Sequence, residues 1–131
     1  MTNRRRTSSS VAVILGFYNG NKYIKQQLDS IASQTHQNIK IFLFDDNSDE
    51  VICQSNLLLN KKSNSKIKII KRTSNIGYAK NFLYGLKDVG SSFDYYAFSD
   101  QDDIWGINKI ELALDKMGLF DLSKSLLYCS R

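Results

Sequence analysis

The sequence predicts an α/β domain in which a mostly parallel sheet carries helices on both faces. Apolar stretches of strand length alternate four times with stretches of helical periodicity, and this alternation is typical of parallel sheets. The strand-length stretches are nearly continuous and rich in β-branched residues, as expected for strands buried on both faces. With 131 residues, the chain has the size of one domain with a substantial core.

Four strands are predicted to form this parallel sheet. The first is the clearest, because Val11-Ala12-Val13-Ile14-Leu15 has no polar interruption. The predicted strands span residues 11–15, 39–44, 66–71 and 94–99. A fifth strand is predicted to begin at residues 125–129.

A helix is predicted after each of these four strands. The helices span about residues 22–34, 50–59, 79–89 and 107–117, and the second has the weakest pattern. Spacing of three and four residues predicts these inward-facing side chains: Ile24, Leu28 and Ile31 in the first helix; Phe82, Leu83 and Leu86 in the third; and Ile107, Ile110, Leu114 and Met117 in the last. Gly90 is well placed to end the third helix.

Composition limits the class of protein. Hydrophobic residues make up 42% of the chain and charged residues 24%, which is ordinary for a soluble domain. No apolar run reaches the roughly 20 residues of a membrane span. Cys53 and Cys129 lie far apart without metal-type spacing, which favours free thiols in a reducing cytoplasm.

The net charge of +5 is unevenly distributed. Three arginines lie in residues 1–10, which we predict to be a disordered basic tail ahead of a domain at residues 11–131. Six further cations lie between Lys61 and Arg72 with no acid among them. This segment is either a solvated loop and strand edge or a surface that attracts anionic lipid or a phosphorylated substrate. No recognition motif supports binding to nucleic acid.

Three carboxylates follow the fourth predicted strand within four residues. The aromatic run Tyr95-Tyr96-Ala97-Phe98-Ser99 leads directly into Asp100-Gln101-Asp102-Asp103. Carboxylates this close repel one another unless a cation lies among them, and Mg²⁺ or Mn²⁺ bound by oxygen atoms is the usual solution. The sequence therefore predicts a metal site at the carboxyl end of this strand.

Two other predicted strands end in residues suited to a nucleotide. Phe17 and Tyr18 follow the first strand, and Asp45 and Asp46 follow the second. The carboxyl ends of parallel strands share one edge of the sheet, where α/β proteins bind their ligands. An aromatic ring can stack on a base, a carboxylate can accept hydrogen bonds from a base or ribose, and a divalent cation can neutralise phosphates.

With these motifs in place, the chain resembles the nucleotide-binding half of the family 2 glycosyltransferases, which have the GT-A fold. The resemblance covers about residues 11–129 and rests on order and spacing together. It is carried by Val13-Ile14-Leu15-Gly16-Phe17-Tyr18-Asn19-Gly20, Leu28-Asp29-Ser30-Ile31 with Gln34-Thr35, Phe44-Asp45-Asp46-Asn47-Ser48, Asn75-Ile76-Gly77 with Lys80-Asn81-Phe82, and Phe98-Ser99-Asp100-Gln101-Asp102-Asp103-Ile104-Trp105. The last segment looks most like rhamnosyltransferases of bacterial surface polysaccharides.

The resemblance implies a role for individual positions. Asp100-Gln101-Asp102 matches the DXD motif, so Asp102 would be the main metal ligand and Asp100 would lie near the ribose or the metal waters. Asp46 matches the aspartate that contacts the base, and Tyr18 with Phe17 matches the loop that packs against it. Lys80 lies near a position that approaches the diphosphate.

Gly16 departs from the pattern of the family. Many members have proline at this position. A backbone without a side chain there is still expected to admit the base.

The implied activity is transfer of a sugar from a UDP- or dTDP-sugar to an acceptor hydroxyl, with inversion and with Mg²⁺ or Mn²⁺. The acceptor would be a saccharide or a lipid-linked one, and the protein would be cytoplasmic with peripheral contact at the inner face of the cell membrane. In the family, the catalytic base lies further beyond the DXD motif than the residues present here. The chain is therefore expected to hold an incomplete domain, without a residue that can be assigned as the base.

Each signal also has a purely structural interpretation. Asp45 and Asp46 could cap the following helix, and Tyr18 could be a core aromatic. We expect Trp105 to pack rather than touch substrate. His36 is predicted to be an exposed residue in a polar turn, with no role in the site.

Other function classes fit the sequence less well. A dinucleotide-dependent oxidoreductase needs G-x-G-x-x-G after the first strand, and Gly16 and Gly20 have the wrong spacing. A phosphatase of the haloacid dehalogenase type places its D-x-D after the first strand. A signalling receiver domain accounts for clustered acids but leaves Phe17 and Tyr18 unexplained. The strongest alternative is a non-catalytic, nucleotide-binding remnant of a glycosyltransferase.

Overall fold

One parallel sheet of four strands organises the protein. The computed structural model describes residues 8–50, 63, 65–120 and 123–130. Within them the strands are β1 (Val11–Phe17), β2 (Ile39–Asp45), β3 (Ile67–Lys71) and β4 (Tyr95–Ser99), in the spatial order β3-β2-β1-β4. The helices are α1 (Asn21–Ala32), α2 (Tyr78–Val89) and α3 (Lys109–Met117). The predicted parallel α/β fold is confirmed.

The central strand is β1, which explains its unbroken apolar sequence. It pairs with β2 from Val11 opposite Ile39 to Phe17 opposite Asp45, and with β4 from Val11 opposite Tyr95 to Leu15 opposite Ser99. A strand between two neighbours is covered by helices on both faces and has no polar face. β1 extends two residues beyond its predicted end, because Gly16 and Phe17 continue the ladder with β2.

The side chains of β1 alternate between two apolar clusters. Val13 and Leu15 belong to the larger cluster, which α1 and α3 cover, and Ile14 belongs to the smaller cluster, against which α2 packs. Gly85 allows α2 to approach closely, because a Cβ at that position would lie 2.8 Å from the ring of Phe44. Helices therefore cover both faces, as predicted.

Three local predictions about apolar residues are wrong. Residues 125–129 form no strand and follow an irregular path. Leu83 is exposed on α2, where Phe82 and Leu86 already supply the inward face. Ile107 is exposed because α3 begins two residues after it, so Ile107 is not part of the helical pattern that predicted an inward-facing side chain.

The prediction of an exposed His36 is also wrong. Its side chain is only 7% exposed, and Nε2 lies 2.8 Å from the carbonyl oxygen of Ser9. Ser9 is itself buried, and Ser10 exchanges hydrogen bonds with Asp94 through both backbone and side chain. The end of the predicted tail thus packs on the domain, and residues 1–7 lie outside the described residues.

Several cations of the basic segment have partners within the protein. Lys66 donates to the backbone and side chain of Gln37, and Lys71 donates to the carbonyl oxygen of Ser48 at 3.3 Å. These contacts favour the structural interpretation of the charge run. The predicted helix at residues 50–59 lies almost wholly outside the described residues, as does Cys53, whereas Cys129 is a free, exposed thiol. In the part of the chain that the structure describes, no helix could cross a membrane.

Candidate donor-binding site

A cavity of about 440 Å³ opens at the carboxyl edge of the sheet. It is lined by Gly16, Phe17, Tyr18, Asp46, Asn75, Gly77, Tyr78, Asn81, Phe82, Asp100, Gln101 and Asp102. These residues end β1, follow one of the four strands or belong to the first turns of α2. The parallel topology therefore brings together the three strand ends at which functional residues were predicted. The volume of the cavity is within the range of small-ligand sites.

The aromatic loop, residues 18–20, forms one wall of this cavity. Tyr18 is 46% exposed and lines the cavity, so it is not a core aromatic, whereas Phe17 is buried in the core at the end of β1. Asn19 adopts a positive φ of 49° and its amide donates to the hydroxyl of Ser48 at 2.9 Å. The loop is thus fixed to the segment after β2.

Asp46 is buried and bound to the start of α2. Its Oδ1 accepts from the amide of Ile76 at 2.8 Å and its Oδ2 accepts from the amide of Gly77 at 2.9 Å. Gly77 is the N-cap residue of α2, has φ +87° and has no side chain, so Asp46, which directly follows β2, supplies acceptor oxygens for the amides of Gly77 and of the residue before it. Asp46 therefore caps a helix, but a different one from the helix that the sequence suggested.

The side chain of Asp45, in contrast, makes a hydrogen bond within its own turn. Its Oδ1 accepts from the amide of Ser48 at 2.9 Å, which closes the turn after β2.

The acidic turn, residues 100–103, forms the opposite wall. Asp100 and Asp102 are exposed and both line the cavity, whereas Asp103 does not line it. The backbone of the turn is anchored by Ser99, the last residue of β4. Its hydroxyl accepts from Nε2 of buried Gln27 at 2.7 Å and donates to the carbonyl oxygen of Asp100. Two of the three predicted carboxylates are therefore directed to one cavity.

The carboxylates of the cavity suit one kind of metal site. Among the described residues, no three acidic, histidine or cysteine side chains lie close enough to enclose a metal by themselves. Mg²⁺ and Mn²⁺ at phosphate sites commonly take one or two carboxylates and complete their shell with phosphate oxygens and water. Asp100 and Asp102 fit that donor set, in which the ligand brings the remaining oxygens.

In the part of the chain that the structure describes, no positive side chain lines the cavity to balance these acids. Three of its lining residues are aspartates, and none of the described lining residues is lysine or arginine. Lys80 is exposed on α2 and does not line the cavity. Arg72 lies behind the wall, where its Nε donates to Asn81 Oδ1 at 2.5 Å and its guanidinium stacks on Phe44. The structure therefore does not place the predicted lysine at a diphosphate.

Some lining residues were not predicted to have a role in the site. Asn75 donates to the carbonyl oxygen of Asp46 at 3.1 Å, and Asn81 donates to that of Phe44 at 2.9 Å. Both asparagines belong to segments that carry the family resemblance, so their positions in the sequence were the available signal. Tyr78 adds a highly exposed ring at the rim, and nothing in the local sequence distinguishes it from a surface tyrosine.

The space beside Gly16 is partly filled by the protein itself. A Cβ at Gly16 would lie 3.0 Å from the edge of the Phe82 ring. Phe82 in turn contacts Phe98 edge to face, with ring centroids 5.4 Å apart. The glycine therefore allows an aromatic side chain of α2 to form this part of the cavity wall.

The segment after the acidic turn is held by residues just beyond the end of α1. Trp105 is buried in the larger cluster, which confirms that it packs in the core. Buried Gln34 donates to the carbonyl oxygen of Gly106 and accepts from the amide of Ile110. Glu111 accepts from the hydroxyl of Thr35 at 2.6 Å and does not line the cavity, so it has no geometry for a catalytic base there.

The sheet and the cavity at its carboxyl edge define an α/β protein with the GT-A type of fold, and comparison with known proteins specifies the family. The family described as "Glycosyl transferase family 2" matches residues 12–120. The chain therefore belongs to the family 2 glycosyltransferases.

Individual proteins agree with this assignment. The chain is 42% identical over 103 residues to dTDP-rhamnosyl transferase RfbG of Shigella flexneri, a match that covers 75% of this chain and 35% of that protein. TarS 1–349 of S. aureus in complex with UDP-GlcNAc superposes with a TM-score of 0.64 at 28% identity, over 82% of this chain and 30% of that one.

A more distant structure shares the fold. Mannosyltransferase PcManGT of Pyrobaculum calidifontis, in complex with GDP-Man and Mn²⁺, has a TM-score of 0.65 at 18% identity, over 88% of this chain and 34% of that one. Among the curated relatives compared, the chain spans between 15% and 36% of the relative's length.

Proposed function

We propose that this chain supplies the donor-binding half of a metal-dependent glycosyltransferase, which transfers a sugar from a nucleoside diphosphate to an acceptor hydroxyl with inversion. One observation carries the proposal: the cavity at the carboxyl edge has an aromatic ring at one wall, three carboxylates and no cationic side chain among its described residues. An anionic diphosphate would be repelled by such a site unless a divalent cation entered with it.

In this proposal the nucleoside lies against the aromatic loop. The ring of Tyr18 is exposed to the cavity and can stack on the base. Each oxygen of Asp46 already accepts one backbone amide and keeps a second lone pair, with which it can accept from a base N–H. The same carboxylate thus fixes the start of α2 and offers an acceptor to the ligand.

The diphosphate lies at the acidic turn. Asp102, with Asp100, would hold Mg²⁺ or Mn²⁺, and Asp100 would lie near the ribose or the metal waters. A cation bound there would neutralise the charge that grows on the departing diphosphate. The contribution of the chain is to keep both carboxylates on an exposed turn whose backbone is anchored through Ser99 and Gln27.

The names of the relatives suggest the nature of the donor. RfbG is named for a dTDP-rhamnosyl donor, and TarS has been seen with UDP-GlcNAc. We therefore propose a dTDP- or UDP-sugar donor. For the acceptor we propose a saccharide or lipid-linked one in the synthesis of bacterial surface polysaccharide, because residues 98–105 resemble rhamnosyltransferases of that pathway. This reaction would take place in the cytoplasm, with peripheral contact at the inner face of the membrane.

The deciding experiment is calorimetric titration of dTDP and UDP into the chain, with and without Mn²⁺. Asp102→Asn removes a proposed metal ligand, and we expect it to weaken Mn²⁺-dependent binding by at least about tenfold, which corresponds to about 1.4 kcal/mol. Asp103→Asn is the matched control, because Asp103 belongs to the same turn and does not line the cavity. Equal effects of the two substitutions, or no binding by the folded chain, would refute the proposal.

A second candidate is a nucleotide-binding protein without transferase activity. It is favoured by the lack, among the described residues, of any carboxylate at the cavity beyond those already engaged in the donor site. Release of free sugar or a glycosylated acceptor from a dTDP- or UDP-sugar by the chain that binds the nucleotide would exclude this candidate.

A further inference from the structure

Gln101 joins the two walls of the donor cavity. It occupies the middle position of the acidic turn, between the two aspartates assigned to the metal. Its side-chain Oε1 accepts from the backbone amide of Tyr18 at 2.7 Å. This is a direct contact between the acidic turn and the aromatic loop across 83 residues of sequence.

The lack of a side chain at Gly20 leaves room for the carboxamide of Gln101. A Cβ at Gly20 would lie 2.4 Å from Cδ of Gln101 and 2.6 Å from both Nε2 and Oε1. The carboxamide therefore lies flat against the aromatic loop at a position that only glycine leaves open. A hydrogen bond at Tyr18 and close contact at Gly20 together fix both ends of this loop to one side chain.

The sheet by itself does not set the distance between the two walls. The ladder between β1 and β4 ends at Leu15 opposite Ser99, whereas β1 continues to Phe17 in its pairing with β2. The aromatic loop therefore follows β2 rather than β4 beyond this point. The side chain of Gln101 connects the acidic turn to the aromatic loop at the point where a ligand would contact both walls.

We propose that Gln101 is a positioning residue, which couples binding of the nucleoside at the aromatic loop to binding of the metal and diphosphate at the acidic turn. The proposal rests on the function proposed above. A ligand that spans both walls binds only while the walls are correctly separated, and its apparent affinity falls with the fraction of molecules in that state. A nucleoside that contacts only the aromatic loop does not depend on this separation.

The test compares dTDP and UDP, each with Mn²⁺, against thymidine and uridine. Gln101→Met keeps the length of the side chain and removes the acceptor, and Gln26→Met makes the same change at an exposed position of α1. The loss of one hydrogen bond changes an equilibrium constant by about three- to tenfold. We expect Gln101→Met to weaken both diphosphates with Mn²⁺ by this factor and the nucleosides by less than about twofold, and Gln26→Met to change neither.

Hydrogen exchange tests the bridge without any ligand. The amide of Tyr18 should be protected in the unmodified chain, exposed in Gln101→Met, and protected again in Gln101→Glu, which keeps an acceptor oxygen. Gly20→Ala should expose the same amide with Gln101 unchanged, because the new methyl displaces the carboxamide.

The outcomes separate this inference from the proposed function. If Gln101→Met weakens nucleosides and diphosphates equally, or leaves the exchange of the Tyr18 amide unchanged, the positioning role is refuted while nucleotide binding stands. If the folded, unmodified chain binds neither diphosphate, the proposed function is refuted and the positioning role with it, whatever the exchange shows. A purely structural role would instead lower the melting temperature in Gln101→Met, with all ligands affected in proportion.

Discussion

Asp46→Asn is the substitution that most directly tests the structural role assigned to a site residue. Asparagine has the shape of aspartate, so it creates no cavity and introduces no clash. It keeps one acceptor oxygen and replaces the other with an NH₂ donor. One of the two amides that Asp46 now satisfies, from Ile76 or Gly77, would then face a donor instead of an acceptor.

The expected magnitude follows from these contacts. A hydrogen bond to a charged group contributes about 1.5–3 kcal/mol, and the lower end applies because Gly77 is accessible to water. The negative charge near the start of α2 contributes about 0.3–1 kcal/mol more, which asparagine also loses. We therefore expect the free energy of unfolding to fall by about 2–2.5 kcal/mol.

The measurement is urea unfolding followed by circular dichroism. With a slope of about 2 kcal/mol per molar urea, the midpoint should fall by about 1 M. Asp29→Asn is the control, because the side chain of Asp29 forms an exposed pair with Lys25 at 4.0 Å, whose loss should cost less than about 0.5 kcal/mol. A shift for Asp46→Asn as small as that of the control would refute the capping role.

Two further substitutions test how the site is supported. Gly85→Ala would place a methyl 2.8 Å from the Phe44 ring and should lower the free energy of unfolding by about 1–3 kcal/mol in the same urea assay. Gly106→Ala is the control, because the new methyl would have no described neighbour within 4 Å, and it should change the free energy of unfolding by less than about 0.5 kcal/mol. Gln34→Leu leaves the amide of Ile110 and the carbonyl oxygen of Gly106 without their partner, and should cost about 2–4 kcal/mol with faster hydrogen exchange at the start of α3. Unchanged exchange there would show that Gln34 does not hold this segment.

Much of the sheet could be predicted from local sequence. β1 and β2 are buried on both faces, so their residues are almost all apolar and their pattern is unambiguous. The convergence of the strand ends followed from parallel topology alone, and it placed Tyr18, Asp46, Asp100 and Asp102 around one cavity as expected. These predictions succeeded because burial and strand direction dictate them.

The errors have a different physical origin. His36 is buried because residues 9 and 10 fold back onto the domain, which no local pattern reveals. Leu83 satisfies the helical spacing but lies on the exposed face of α2, and Ile107 precedes the first residue of α3. Lys80 is exposed on α2 and does not line the cavity, and its approach to a diphosphate stays a prediction.

Contacts between distant segments were also beyond local reasoning. The two backbone amides that Asp46 accepts are about 30 residues away, and the amide that Gln101 accepts is 83 residues away. Sequence identifies the side chains that can make such bonds, but tertiary packing chooses their partners. The capping role of Asp46 and the bridging role of Gln101 therefore became visible only in the structure.

The order of strands in the sheet also has a consequence for folding. β1 meets β2 after the short connection through α1, but it meets β4 only when segments 84 residues apart come together. Closing a long loop costs more entropy than closing a short one, so pairing between β1 and β4 should be the late step. Asp100, Gln101 and Asp102 reach the aromatic loop only through that pairing. The cavity at the carboxyl edge would then be completed last in folding and lost first when β4 detaches, so slow hydrogen exchange in β4 would report directly on an intact cavity.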